Sequence, residues 1–465
     1  MENGCKKIKV FSDKSKKIFI VVFGVALTIR LINFYSLLPS KIDTALFSLI
    51  TVWAFAILII DALSKDVKIY KTDYLLLGFI LAILCSTFFN GPSGIIENIK
   101  LVIWQVIYLF VVYRIGRDSI DSEFLTKFEK LIIGIWNTLV IISLGMFFTH
   151  YSYVAPFDKF YNGFRAGFVE NRLYGIFSDP NFAGATSVAV IFLAVKLLMT
   201  NKNKMAKIYS IVTILLQFAY IILSGSRTAE IALVLCAYFA IFFIVYNRFG
   251  KTIASKLLLA VICGVIGTGA VLGIAEAGKY AAPKLINITA RYVPRKSENP
   301  DKDQNSISLK RDDVVNKDDV SNNRFALWKS SFEIFQSSPL VGSSPRNLVN
   351  YAQKELPNTF IATKKQTSHN FIFYLLATTG LLGTIPLLVF LGIKIWNTLR
   401  QLFMRTIKDY DSYVLNTMVV LAILISAMFL TELVLVNKLG SLIFWLYLGY
   451  ISKKHPVVGK GGISE

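Results

Sequence analysis

The stretch Thr-Ser-His-Asn-Phe-Ile-Phe-Tyr-Leu-Leu-Ala-Thr-Thr-Gly-Leu-Leu-Gly-Thr-Ile-Pro-Leu-Leu-Val-Phe-Leu-Gly, residues 367–392, passes within a few residues from polar loop to an apolar run without a charge. Such a run is long enough to cross a membrane, which takes roughly 20 mostly apolar residues. Ahead of it, from about Ala277 to Ser368, lies the one long polar segment of the chain. If the apolar runs are membrane helices, this segment is the part with enough soluble chain to build a site over a lipid-borne substrate.

Working outward, the 465 residues are 54% hydrophobic and only 17% charged, with a mean hydropathy of +0.56. A soluble protein usually carries about a quarter charged residues, so the expected class is an all-α polytopic membrane protein. Apolar runs predict twelve helices, at about 18–38, 43–63, 74–90, 99–115, 131–149, 181–199, 208–224, 228–246, 257–276, 369–392, 413–433 and 439–452. The first run is followed by many more and has no small-residue cleavage site, so it is expected to be retained rather than removed as a signal.

A net charge of +21 raises nucleic acid as a partner, but its placement answers to topology. Six lysines from Lys6 to Lys17 precede the first helix, and every second loop repeats the pattern: Lys65 to Lys71, Arg114 to Lys130, Lys202 to Lys207, Arg248 to Lys256, Lys394 to Lys408, and the tail Lys453 and Lys454. By the positive-inside rule these loops and both termini are cytoplasmic, and no nucleic acid is needed. The chain then divides into helices 1–9 over 1–276, an external loop or lid over 277–368, helices 10–12 over 369–452, and a tail over 453–465. Within the lid, 295–323 is Lys, Asp, Asn and Ser with few apolar residues and reads as a flexible insert. After it, Phe325, Trp328, Phe332 and Phe335 recur at helical spacing, predicting a short amphipathic helix lying on the membrane face or on the other helices. A second short helix is expected from Asn347 to about Glu355.

The external segments carry cations that topology does not request. Arg165 and Arg172 stand in the Gly- and aromatic-rich loop before Asp179-Pro180-Asn181, a turn and N-cap signal. Arg227 sits in the small-residue hairpin Ser224-Gly225-Ser226-Arg227, and Arg324 opens the amphipathic helix that also carries Trp328. A lone arginine at a helix end usually snorkels to the interface, but ionisable groups at membrane depth tend to be functional. Arg30, inside the first predicted helix, stays open between an ion pair and a snorkelling end. Of the three histidines, His150 ends an external helix face and His455 lies in the tail; His369, beside Asn370, stands at the mouth of a helix and suits a group titrating near neutral pH. Scattered in this way they form no metal-ligand pattern. The four cysteines predict neither disulfide nor metal cluster, and nucleotide-binding and serine-hydrolase motifs are absent from the sequence.

Fixed arginines and one histidine suit a phosphate-rich donor at the outer leaflet. A leaving pyrophosphate develops negative charge that planar guanidinium forks can answer, and a histidine can take the proton of an attacking sugar hydroxyl. Glycosyl transfer from a lipid diphosphate is therefore the expected chemistry, with no cofactor.

At these residues the chain resembles the O-antigen polymerase and ligase superfamily, the Wzy-type polysaccharide polymerases and O-antigen ligases. Four pieces carry the resemblance: Arg172-Leu-Tyr-Gly-Ile-Phe-Ser-Asp-Pro-Asn181; Ser224-Gly-Ser-Arg227; Asn323-Arg324…Trp328…Pro339-Leu-Val-Gly342; and His369-Asn370…Gly380-Leu-Leu-Gly383. The resemblance implies a metal-independent, inverting glycosyltransferase acting on undecaprenyl-diphosphate-linked glycan at the external face of the bacterial plasma membrane. It implies that Arg172, Arg227 and Arg324 lie near the diphosphate and that His369 is the acceptor base. Arg165, Asn181, Trp328 and Asn370 are further candidate substrate contacts. The expected product is a capsular or O-antigen-like polysaccharide, with a chain-length regulator and a flippase as candidate partners. A ligase differs from such a polymerase only in its acceptor, and a polytopic transporter or flippase of lipid-linked glycan, or a non-catalytic scaffold, are readings from other classes.

Overall fold

The computed structural model describes residues 2–64, 68–155, 164–289, 309, 321–404 and 407–453. Nearly all of the expected insert 295–323, and the tail after Lys453, lie outside the described residues.

Each of the twelve apolar runs lies wholly or in part on a helix. The long helices are α1 (Glu2–Ile29), α2 (Ser40–Ser64), α3 (Asp73–Phe89), α4 (Ile95–Ser119), α5 (Ser122–Phe148), α6 (Pro180–Thr200), α7 (Lys204–Ser224), α8 (Arg227–Arg248) and α9 (Ile253–Thr289). Three short helices of the lid follow, α10 (Arg324–Ser337), α11 (Leu348–Glu355) and α12 (Phe360–Lys364), then α13 (Phe371–Met404), α14 (Tyr410–Ala427) and α15 (Leu439–Ile451). Among the described residues nine of these, α2, α4 to α9, α13 and α14, are long and apolar enough to cross a membrane, while α3 and α15 are shorter apolar helices. The chain is a multi-pass, mostly helical membrane protein. Helix α6 sits at its centre, packed by α7, α8 and α14, and its side chains are buried from Ala183 to Ala194. By contrast, only 11% of the most apolar window of α9 is buried.

The structure corrects four expectations. First, within the all-α fold the Gly- and aromatic-rich segment after α5 is more than a loop: it forms an antiparallel sheet of β1 (Ser152–Val154), β2 (Arg165–Val169) and β3 (Arg172–Gly175), in that order. Glu170 and Asn171, both at positive φ, make the two-residue turn whose twist matches paired strands. Second, the first helix stops at Ile29 instead of 38, because the chain beyond it is captured by the sheet: Asn33 N donates to Ile176 O (2.8 Å) and Ser178 N to Leu31 O (2.9 Å). Third, α14 ends at Ala427 instead of 433. The apolar residues that follow are buried in protein rather than lipid, and their backbone groups find side-chain partners: Gln105 Oε1 accepts from Leu435 N (3.1 Å), Trp445 Nε1 donates to Leu433 O (3.1 Å) and Asn370 Nδ2 to Met428 O (2.8 Å). Non-helical backbone at membrane depth is tolerated only where protein satisfies it in this way.

Fourth, α13 is broken at Gly380 (φ 56°, ψ −158°), and the lid fills the break. The turn Ser338–Gly342 enters it with Leu381 N donating to Pro339 O (2.8 Å), Leu382 N to Leu340 O (3.1 Å), Ser343 N to Ala377 O (2.9 Å) and Ser344 N to Thr378 O (3.0 Å). Polar residues of α3 and α4 complete the joint: Ser86 Oγ donates to Thr378 O (2.8 Å), Asn90 Nδ2 to Gly342 O (2.8 Å) and Asn98 Nδ2 to Ser344 Oγ (2.6 Å). The lid is thus joined into the bundle by backbone hydrogen bonds. On α10 the packed face is Leu327, Ser330, Ser331 and Ile334, whereas Phe325 and Phe332 of the expected aromatic stripe are exposed.

Candidate functional site

The site is built where β1–β3, the lid and the starts of several helices meet. In β3, Arg172 is 8% exposed, and its guanidinium joins three elements: Nε donates to Ser224 O at the end of α7 (2.9 Å), and a terminal nitrogen donates to Asn181 Oδ1 at the start of α6 (2.8 Å). Asn181 is in turn placed by Asp179, whose carboxylate accepts from Asn181 N (2.7 Å) and caps α6. Arg165 is turned inward to its own hairpin, on Glu170 (2.9 Å) and Tyr174 Oη (3.1 Å). Lysine at position 172 could not reach both acceptors with one ammonium, and hydrogen bonds of charged groups contribute about 1.5–3 kcal/mol. Arg172→Lys is therefore expected to speed amide hydrogen exchange across residues 165–177 while exchange in α14 stays as in the parent protein.

Three residues beyond the carbonyl that holds Arg172 stands Arg227, half-buried at the first position of α8. Gly225, in the left-handed region, ends α7, and Ser226 Oγ accepts from Ala229 N (3.3 Å) to cap α8. An arginine at a helix N-terminus opposes the macrodipole. Arg324 repeats this arrangement at the first position of α10, its guanidinium 5.4 Å from the Phe429 ring centre. One turn on, Trp328 stacks on Phe373, centroids 5.4 Å apart and planes 15° apart.

His369 lies between two anchored neighbours. Ser368 accepts a hydrogen bond from Ser331 Oγ of α10 (2.7 Å), and Asn370 caps α13, its Oδ1 accepting from Ile372 N (2.8 Å) while its Nδ2 holds Met428 O. The histidine itself takes φ 46°, uncommon for a residue with a side chain, so the imidazole is aimed by the chain on both sides. Burial, and after it the Arg324 guanidinium, hold its pKa below the ordinary 6.5; Lys438 acts in the same sense and Asp179 opposes. Burial and the neighbouring cations thus favour the neutral imidazole over the imidazolium.

The starts of α6, α10, α13 and α15 thus converge through Asp179, Arg324, His369 and Lys438, and the start of α8 lies against α6, where a Cβ on Gly184 would come within 2.9 Å of Ala229 Cβ. Helix N-termini present unpaired N–H groups and the positive end of the dipole. Three arginines and a lysine, Arg172, Arg227, Arg324 and Lys438, stand among these helix starts and the adjoining strand.

Residues 211–388 match the family model described as O-antigen ligase, Wzy_C. The match covers less than half of the chain and supports the resemblance to the O-antigen polymerase and ligase superfamily. No curated protein matches the chain. The matched segment contains Arg227, Arg324, Trp328, His369 and Asn370, together with the Gly342–Gly380 joint that seats the lid. Arg165, Arg172 and Asn181 precede it, and the structure brings Arg172 and Asn181 to the end of α7 nonetheless. Lys438 and Glu432 are not among the candidates read from the sequence, and Glu432 falls within the helix expected over 413–433. The polar pair Asn437-Lys438 just before an apolar run was the available signal.

Proposed function

We propose that the protein is a glycan polymerase that joins lipid-diphosphate-linked repeat units at the external face of a bacterial plasma membrane. A membrane glycosyltransferase of the ligase and polymerase type agrees with the family match. The observation that carries the finer reading is His369, held at φ 46° between the anchored Ser368 and Asn370, with burial and the Arg324 guanidinium favouring its neutral form. In this reading an acceptor hydroxyl attacks the donor's anomeric carbon, its proton passes to the imidazole of His369, and the bond from that carbon to the phosphate oxygen breaks. The lipid diphosphate leaves with its new charge answered by Arg324, Arg227 and Arg172, and inversion at the anomeric carbon follows from single displacement. Trp328 stands one turn from Arg324, where an aromatic face can stack on a sugar ring.

The matched family is described as O-antigen ligase, which favours one second reading, transfer of the finished glycan to a different acceptor. Gel analysis of surface glycan from a deletion strain separates the two. Polymerase function is expected to reduce the ladder to a single repeat unit; accumulated full-length lipid-linked polymer would assign ligase function instead. Proteoliposomes that move lipid-linked glycan across the bilayer without lengthening it would overturn both.

A further inference from the structure

Between α14 and α15 the chain runs through residues 428–438 without regular structure, held by α4: Tyr108 Oη donates to Asn437 Oδ1 (2.7 Å) and Gln105 receives Leu435 N. Within this loop Glu432 is 1% exposed and its Oε2 is buried without a hydrogen-bond partner. Its carboxylate lies against the first turn of α15, where a Cβ on Gly440 would fall 2.0 Å from Oε1; only glycine leaves that room. At the end of the same loop, Lys438 keeps part of its surface open, and its Nζ lies 3.2 Å from the centre of the Phe182 ring on α6. Among the described residues no carboxylate oxygen comes within the 4.0 Å of an ion pair with it. The ammonium is therefore held by an aromatic face, which attracts a cation electrostatically, with its counter-charge set aside.

The charged groups facing Lys438 are Glu432 in its own loop, Asp179 at the start of α6, Arg346 of the lid and Arg30 after α1, and it faces His369 at the start of α13. Two carboxylates and two guanidinium groups thus face it, and an ammonium held by an aromatic face beyond ion-pair distance of any of those carboxylates, with Glu432 lacking a donor on Oε2, is an arrangement that an incoming anion completes. Resting on the proposed donor chemistry, we propose that Lys438 is a fourth cation for the donor's diphosphate and that Glu432 is the internal counter-charge that holds it when the diphosphate is absent. Lysine adds a compact charge with three movable donors to the planar forks of the arginines.

The test uses full-length protein in proteoliposomes with lipid-diphosphate-linked glycan, and inorganic pyrophosphate as competitor. Lys438→Met alone would strand a buried carboxylate, so the decisive variant is Lys438→Met with Glu432→Gln, which removes both charges at nearly constant volume. Loss of one charge-assisted contact is expected to raise donor KM and pyrophosphate Ki about tenfold or more, with Lys438→Arg closer to the parent values. A pair serving structure alone would let the neutral double variant regain parental KM and Ki, and that result overturns the inference. If the parent protein turns over no donor, the proposed function fails, but the pair is still read by thermal unfolding with pyrophosphate. A stabilising shift in the parent that disappears in the double variant supports Lys438 as an anion ligand; no shift, or an equal shift in both, overturns it.

Discussion

His369→Ala is expected to lower donor turnover by about 10²–10⁴-fold, the usual contribution of a positioned general base, while the protein remains folded in the membrane. The ring is not a core element: its neighbours Ser368 and Asn370 make the packing bonds, to Ser331 and to Met428, so removing the imidazole leaves these in place. The pH profile gives a second readout. Since burial and Arg324 hold the imidazole below 6.5, the base is lost only on acidification, and kcat/KM should be flat through neutrality and fall along an acid limb centred below 6.5. The sign for Arg324→Ala follows from charge: removing a cation favours imidazolium, raises the histidine pKa and moves the acid limb to higher pH. A variant that loses activity with an unmoved limb would show Arg324 acting on the donor alone. Turnover in His369→Ala within about threefold of the parent would remove the histidine from the chemistry, being far below the effect expected of a general base.

That His369 was legible in the sequence, and Lys438 was not, has a physical reason. Helices were readable because lipid demands a continuous apolar window, and the same demand made charged residues outside the cytoplasmic loops conspicuous; Arg172, Arg227 and Arg324 stood out for this reason. Residues Leu430, Leu433, Val434 and Leu435 are equally apolar but are buried in a segment bonded to Gln105 of α4 and Trp445 of α15, and composition cannot distinguish burial in lipid from burial in protein. The loop that carries Glu432 was accordingly read as the end of a helix. The sheet was hidden for a related reason, since Gly, Tyr and Phe between 161 and 177 suit an interface loop as well as short strands. Pro339-Leu-Val-Gly342 and Gly380-Leu-Leu-Gly383 were visible as separate motifs, but only the structure joins them, because their pairing runs through backbone groups that any residues could supply.

That joint gives the second large effect, the response to Gly380→Ala. The φ of 56° and ψ of −158° at Gly380 fall close to a region that is essentially reserved for glycine and costs other residues about 1–3 kcal/mol. An added Cβ would also meet Leu340 C and O at 2.4 Å; these are backbone atoms of the docked lid and cannot rotate aside. Relief requires the lid to withdraw, which breaks the bonds from Leu381 N and Leu382 N and returns their carbonyl partners to an apolar surrounding, at about 1–3 kcal/mol for each group left unsatisfied. Set beside a typical stability of roughly 5–15 kcal/mol, the sum reaches the lower end of that range. Gly380→Ala should therefore yield little monodisperse protein, or protein whose lid exchanges amide hydrogens freely and which lacks activity. Gly342→Ala should behave alike, since its Cβ would fall 2.4 Å from Thr378 C at a φ of 68°. Gly269→Ala and Gly273→Ala in α9, with nothing within 4 Å of the added carbon, are the matched controls and should be neutral or slightly stabilising, as alanine in a helix interior generally is. Full activity in Gly380→Ala would mean that the lid does not need this joint to hold Arg324 over His369.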